Sequence, residues 1–161
     1  QFISDFVFCS KNLKNNGGFY KLPLAWGTDD ITVYRAASEK GIAHTNKSIF
    51  FYRSNSLSIT SSGNNGLKFK ANLAYFIWLK DFLTQPPNNK SDLVVYKSAI
   101  NSLDTFYRKK QIHTLSIAMT NKFFINFYIF LKQSKTLGIN PLYIIFSFFS
   151  TLNKKILKNI I

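Results

Sequence analysis

Gly17-Gly18-Phe19-Tyr20-Lys21-Leu22-Pro23-Leu24-Ala25-Trp26-Gly27-Thr28-Asp29-Asp30 is the stretch on which the reading of this chain turns. A glycine pair permits a tight turn, and Thr28 followed by two acids has the form of a helix N-terminus. Ile31, Tyr34, Ala36 and Ala37 then keep helical spacing until Lys40-Gly41 supplies a basic last turn and a glycine stop, which predicts a helix over about 29–40. Upstream, Phe2 to Phe8 is a short β-prone apolar run, and Ser10 to Gly18 reads as a polar loop. Downstream, Ile42 to Tyr52 ends in Ile49-Phe50-Phe51-Tyr52 and predicts a second strand, followed by a polar loop over 54–66. Strand, turn, helix and strand in that order point to an α/β domain.

Adjacent carboxylates at the start of a helix point about 100° apart around its axis. One of Asp29 and Asp30 can therefore face a cleft while its neighbour caps or pairs, and a carboxylate so placed can act as a general base toward a hydroxyl. The other reading is that both simply favour the positive end of the helix dipole.

The order of the pieces adds to this. A strand, a Gly-Gly-Phe turn (Gly17, Gly18, Phe19), an acidic pair opening a helix, a glycine, a strand and Tyr52-Arg53-Ser54 ahead of a serine-rich loop together resemble the second half of the catalytic domain of family 2 glycosyltransferases, inverting enzymes of the nucleotide-sugar-binding GT-A fold. The Pro-Leu-Ala-Trp-Gly-Thr-Asp-Asp run over 23–30 is similar to a bacterial subgroup of them. The resemblance covers residues 1–60 strongly and 61–84 loosely. It implies that Asp30 is the base that deprotonates the acceptor hydroxyl and that Asp29 is a supporting acid. Gly17 and Gly18 would let the backbone run close beneath the sugar, and Trp26 would offer an aromatic platform on the acceptor side, a core tryptophan being the equal alternative. Arg53 would neutralise the leaving diphosphate or, alternatively, form a structural salt bridge. The family's Asp-x-Asp motif, which holds the diphosphate through Mg²⁺ or Mn²⁺, occurs nowhere in these residues. The resemblance therefore implies that the divalent cation and the nucleotide-sugar donor are bound mainly by residues outside this chain. It also makes the chain the carboxy-terminal part of a longer bacterial transferase, inactive alone.

The rest of the sequence is helical in pattern. Phe69, Leu73, Phe76 and Ile77 predict a helix over 67–83, stopped by Pro86-Pro87. Ser91 and Asp92 suit the cap of a second helix, whose apolar residues Leu93, Tyr96, Ile100, Leu103 and Tyr107 step by three or four. Two further apolar stretches follow, 112–131 and 137–152, separated by Lys132, Lys135 and Gly138. The 161 residues hold 21 Lys plus Arg against 7 Asp plus Glu, and every acid lies before residue 105. The stretch 106–161 carries nine basic residues and no acid, which suits a polyanionic partner. Its aromatics sit in apolar runs and no nucleic-acid-binding motif is present, which disfavours nucleic acid. The uncharged run 137–152 is shorter than the roughly 20 residues that span a bilayer. An anionic membrane surface is thus the expected partner, with packing on the catalytic part or on a second subunit as the alternative.

One cysteine, Cys9, excludes an internal disulfide and reads as a small buried hydrophobe. His44 and His113 stand apart without partner carboxylates and read as structural. The sequence thus predicts an α/β GT-A half-domain over 1–84 and a basic, aromatic-rich helical tail over 85–161, peripheral to the cytoplasmic face of the cell membrane in surface polysaccharide synthesis. The donor would be a nucleotide-sugar and the acceptor a saccharide or lipid-linked hydroxyl. The rival readings are a non-catalytic membrane-surface binding protein, in which the acids only cap a helix, and a degenerate transferase remnant.

Overall fold

The computed structural model describes residues 6–37, 41–43, 64–120 and 122–158, with the side chains of 154–158 left aside. Among the described residues every regular element is a helix, so the α/β expectation is corrected to all-α. Residues 6–8 and 42–43 are irregular, and the remainder of both expected strands, 2–5 and 44–52, lies outside the described residues. The physical reason is that β propensity measures fit to a paired, half-buried surface rather than a backbone preference. The runs at 6–8 and 42–43 pair with no neighbouring strand among the described residues.

The chain forms two compact units, residues 1–64 and 65–161. The first contains α1 (Ser10–Asn15), where the sequence reads as loop, then a 3₁₀ turn over Pro23–Ala25, and α2 (Thr28–Ala37). Residues 38–40, the end of the expected helix, lie outside the described residues.

The second unit is four helices: α3 (Asn65–Phe82), α4 (Leu93–Thr120), α5 (Phe123–Gln133) and α6 (Pro141–Lys158). Helix α4 absorbs both the expected helix from 93 and the start of the next apolar stretch. No glycine or proline interrupts 93–120, so nothing ends the helix until Lys122 takes a left-handed backbone conformation, φ +51°, as the N-cap of α5. At 28 residues α4 is about 42 Å long. It is the spine on which α3, α5 and α6 pack. Helix α6 starts where Asn140 Oδ1 accepts the Leu142 amide at 3.0 Å and Pro141 occupies the first turn.

The core of this unit gathers Phe69, Leu115, Met119, Phe123, Phe130 and Ile144. Phe69 meets Phe130 edge-on, ring centroids 5.4 Å apart. Each such side chain contributes roughly 1.5–3 kcal/mol by leaving water. Between α3 and α4 lies a polar seam: Asn72 Nδ2 donates to Thr114 Oγ1 at 3.0 Å, and Thr114 Oγ1 donates to the Lys110 carbonyl at 2.9 Å. Lys68 is also buried on α3, and desolvation lowers its pKa below the usual lysine value.

Candidate functional site

Of the residues singled out in the sequence, Trp26, Asp29 and Asp30 lie at the start of α2 in the first unit, and Gly17 approaches Arg35 in its last turn. Asp29 and Asp30 lie in its first turn, both half-buried, while Ile31, Thr32 and Val33 behind them are buried. The acids thus sit half-buried at the start of a helix whose next residues are buried. Thr28 begins this helix, but its Oγ1 is buried and accepts or donates no hydrogen bond, so it does not provide the cap that the sequence suggests. The first turn relies instead on the favourable placement of two carboxylates at the positive end of the dipole.

The approach to the acids is backbone under strain. Leu24 and Ala25 both have positive φ, +56° and +52°, a conformation that costs an ordinary L-residue roughly 1–2 kcal/mol. Trp26, half-buried, follows at the end of the 3₁₀ turn, its amide donating to the Pro23 carbonyl at 3.1 Å. Strained non-glycine residues persist only where their surroundings hold them, and they concentrate at functional sites.

What holds this turn region to α2 is a pair of side chains that the sequence reading passed over. Thr32 Oγ1 accepts the Tyr20 amide at 3.1 Å while donating to the Thr28 carbonyl at 2.6 Å. Arg35 Nη2 donates to the Asn16 carbonyl, and the guanidinium lies 5.7 Å from the centre of the Tyr20 ring. Between those two anchor points run Gly17 and Gly18, with φ +79° and +74°. A Cβ on Gly17 would stand 3.2 Å from Arg35 Nη2, so both the backbone angle and the close approach require glycine there. The glycine turn and the acid-bearing helix are therefore one tethered piece. The only advance sign of these tethers was spacing: Thr32 and Arg35 fall three residues apart and so share one helix face.

The other candidates do not join the cluster. Arg53 and His44 lie outside the described residues. His113 is exposed on α4 in the second unit. Cys9 is exposed, correcting the expectation of a buried hydrophobe, because it immediately precedes the short surface helix α1 instead of lying on a strand. Among the described residues no group of three His, Cys, Asp or Glu side chains stands together to hold a metal. The described donors thus do not fit a Mg²⁺ or Mn²⁺ site by themselves, and no chemical step below passes through one. Among the described residues, no helix is long and apolar enough to cross a membrane.

No family model, curated protein or solved structure matches the chain at a significant level. The functional reading therefore rests on the residues and their geometry.

Proposed function

We propose that the first unit is the acceptor-activating part of an inverting glycosyltransferase of bacterial surface polysaccharide synthesis. In this reading Asp30 takes the proton from an acceptor hydroxyl as that oxygen attacks the anomeric carbon of a nucleotide-sugar. The new glycosidic C–O bond forms as the bond to the nucleotide diphosphate breaks, and the configuration at carbon inverts. Asp29 supports Asp30, and the Trp26 ring offers an apolar platform to the sugar face of a saccharide or lipid-linked acceptor. Arg53 would meet the leaving diphosphate, and the divalent cation that neutralises it would be held by residues beyond these 161.

The observation that carries this reading is the tether between the two parts the chemistry needs. Thr32 and Arg35 tie the Gly17-Gly18 turn to the helix that begins with the acids. A base acts efficiently only when it is held within hydrogen-bond reach of its proton, and a turn fixed to the same helix can let a sugar approach the backbone closely. The resemblance of residues 1–60 to family 2 transferases supports the same assignment.

The test is Asp30→Asn in the full-length protein, assayed by release of nucleoside diphosphate in the presence of acceptor. Transfer is expected to fall about 10²–10⁴-fold, with the acceptor KM and the helical circular-dichroism signal unchanged. Retention of transfer within a few-fold would remove Asp30 as the base. Loss of folded structure in the variant would instead make the acids a helix cap.

A further inference from the structure

Helix α6 buries hydroxyls on its core side and leaves large apolar rings on its outer side. Ser147 is fully buried and Thr151 nearly so, the Ser147 hydroxyl donating to the Ile112 carbonyl at 3.2 Å. Phe146 and Phe149, by contrast, are 63% and 57% exposed, beside exposed Leu142. The core-facing side of α6 carries Ile144, wholly buried, together with these two hydroxyls, with Phe148 packed against the core, while Phe146 and Phe149 leave large apolar rings on the outer side, where an aqueous surrounding does not reward them.

Helix α5 continues the same surface. Phe124 and Tyr128, one turn apart, are 72% and 66% exposed. The rings of the two helices are contiguous through Phe148, whose centroid lies 6.1 Å from Phe124 and 5.6 Å from Phe149. Two neighbouring helices thus present one aromatic face, and large exposed apolar patches mark interaction sites.

Charge identifies what covers it. Exposed Lys122 caps the start of α5, exposed Lys132 lies in its last turn, and exposed Lys135 follows. No acid occurs after Asp104. A two-fold contact between copies of this chain sets the same patch against itself and would bring one set of lysines toward the other without a compensating carboxylate. An anionic lipid surface meets both halves of the pattern, headgroups for the lysines and acyl boundary for the rings.

We propose that the outer face of α5 and α6 docks on anionic phospholipid, lying in the plane of the bilayer with Phe124, Phe146 and Phe149 inserted and Lys122, Lys132 and Lys135 over the headgroups. The helices lie along the interface because the uncharged part of α6, residues 141–153, is only about 20 Å long against a hydrocarbon core of about 30 Å. Tyr128 keeps its phenolic end among the headgroups while its ring remains apolar. This docking stands on the second unit alone and does not depend on the transferase reading.

The experiment is co-sedimentation of the full chain with vesicles of phosphatidylcholine doped with phosphatidylglycerol, and with vesicles of phosphatidylcholine alone. The chain is expected to bind the doped vesicles, more weakly at high salt, and to bind phosphatidylcholine poorly. The double variant Phe146→Ser/Phe149→Ser is expected to lose at least roughly tenfold in binding without a change in helix content or melting temperature. Lys132→Gln/Lys135→Gln is expected to bind several-fold less, on anionic vesicles only. The proposal is overturned if the phenylalanine variant binds as the parent does, or if the parent fails to bind doped vesicles. In the second case, a dimer that Phe146→Ser/Phe149→Ser dissociates would assign the face to a second copy of the chain.

Discussion

The two units are held together by different means. Among the described residues of the first unit only Ile31, Thr32 and Val33 are buried, and its turns are fixed by directional contacts: a threonine hydroxyl on an amide, a guanidinium on a carbonyl. The second unit has a core of packed phenylalanine, leucine, methionine and isoleucine side chains along a single long helix. Packing is non-directional and tolerates exchange of similar shapes. Hydrogen bonds at a glycine turn are less tolerant, because each weakens as its angle and distance depart from a narrow range. The first arrangement suits a site that must hold a carboxylate in place, and the second suits a platform.

The sharpest way to break that contrast is chemical. If the first unit is a site, Asp30→Asn lowers transfer about 10²–10⁴-fold while leaving the melting of the second unit untouched, measured by nucleotide release and by differential scanning calorimetry on the same sample. In the second unit the largest expected effect is thermodynamic. Phe69, wholly buried against Phe130, should cost about 3–5 kcal/mol when replaced by alanine, read from urea unfolding of the second unit. A loss below about 1 kcal/mol would mean that the core described here does not carry the unit.

Smaller effects sharpen the comparison. Gly17→Ala places a Cβ at φ +79° and 3.2 Å from Arg35 Nη2 and is expected to cost the first unit about 1–2 kcal/mol. Arg35→Lys in the same unit should disturb transfer without a comparable loss of stability, since lysine keeps the charge but not the planar fork. If Gly17→Ala is neutral in both stability and transfer, the tether has no role. Thr114→Val removes the acceptor of the Asn72 amide and is expected to cost roughly 1–2 kcal/mol in the second unit, again by urea unfolding.

The smallest expected effect concerns pH. Burial lowers the Lys68 pKa in the folded chain, so between that value and the ordinary 10.5 the unfolded chain binds the proton more tightly. Stability should therefore rise with pH through that window and level off above about 10.5, by this one group's contribution. Tyr107 acts oppositely at the alkaline end, since burial raises its pKa in the folded state. The difference between the parent and Lys68→Met isolates the lysine: the variant should lack the rise. Identical pH curves would show that the Lys68 ammonium is not desolvated.

Several elements could be read directly from residue order. The helix opening at Asp29-Asp30, the stop at Pro86-Pro87 and the break at Gly138 follow from local chemistry, because first-turn acids, glycine and proline act over three or four residues. The same locality explains the misreadings. Ser10 to Asn15 looks like loop by composition, yet it forms a helical turn. Residues 112–120 look like the start of a new element, yet they prolong α4. The β-prone run at 6–8 found no partner among the described residues, and strand formation is decided by that partner rather than by the run itself.

At the candidate site, the acids and glycines were visible as types at a spacing, whereas their joining was not. That Thr32 bridges Tyr20 to Thr28, and that Arg35 reaches back to Asn16, depends on where the chain returns after 12 and 19 residues. The acid-free, basic second half and its aromatic content are properties of the sequence by itself, since charge and hydropathy add up residue by residue. Which of those aromatics point outward, and that Ser147 is buried while Phe146 is not, was settled by packing alone. The periodicity of α6 marks one polar side, but an amphipathic pattern predicts that the apolar side is the covered one, and here the side with Ser147 and Thr151 is buried.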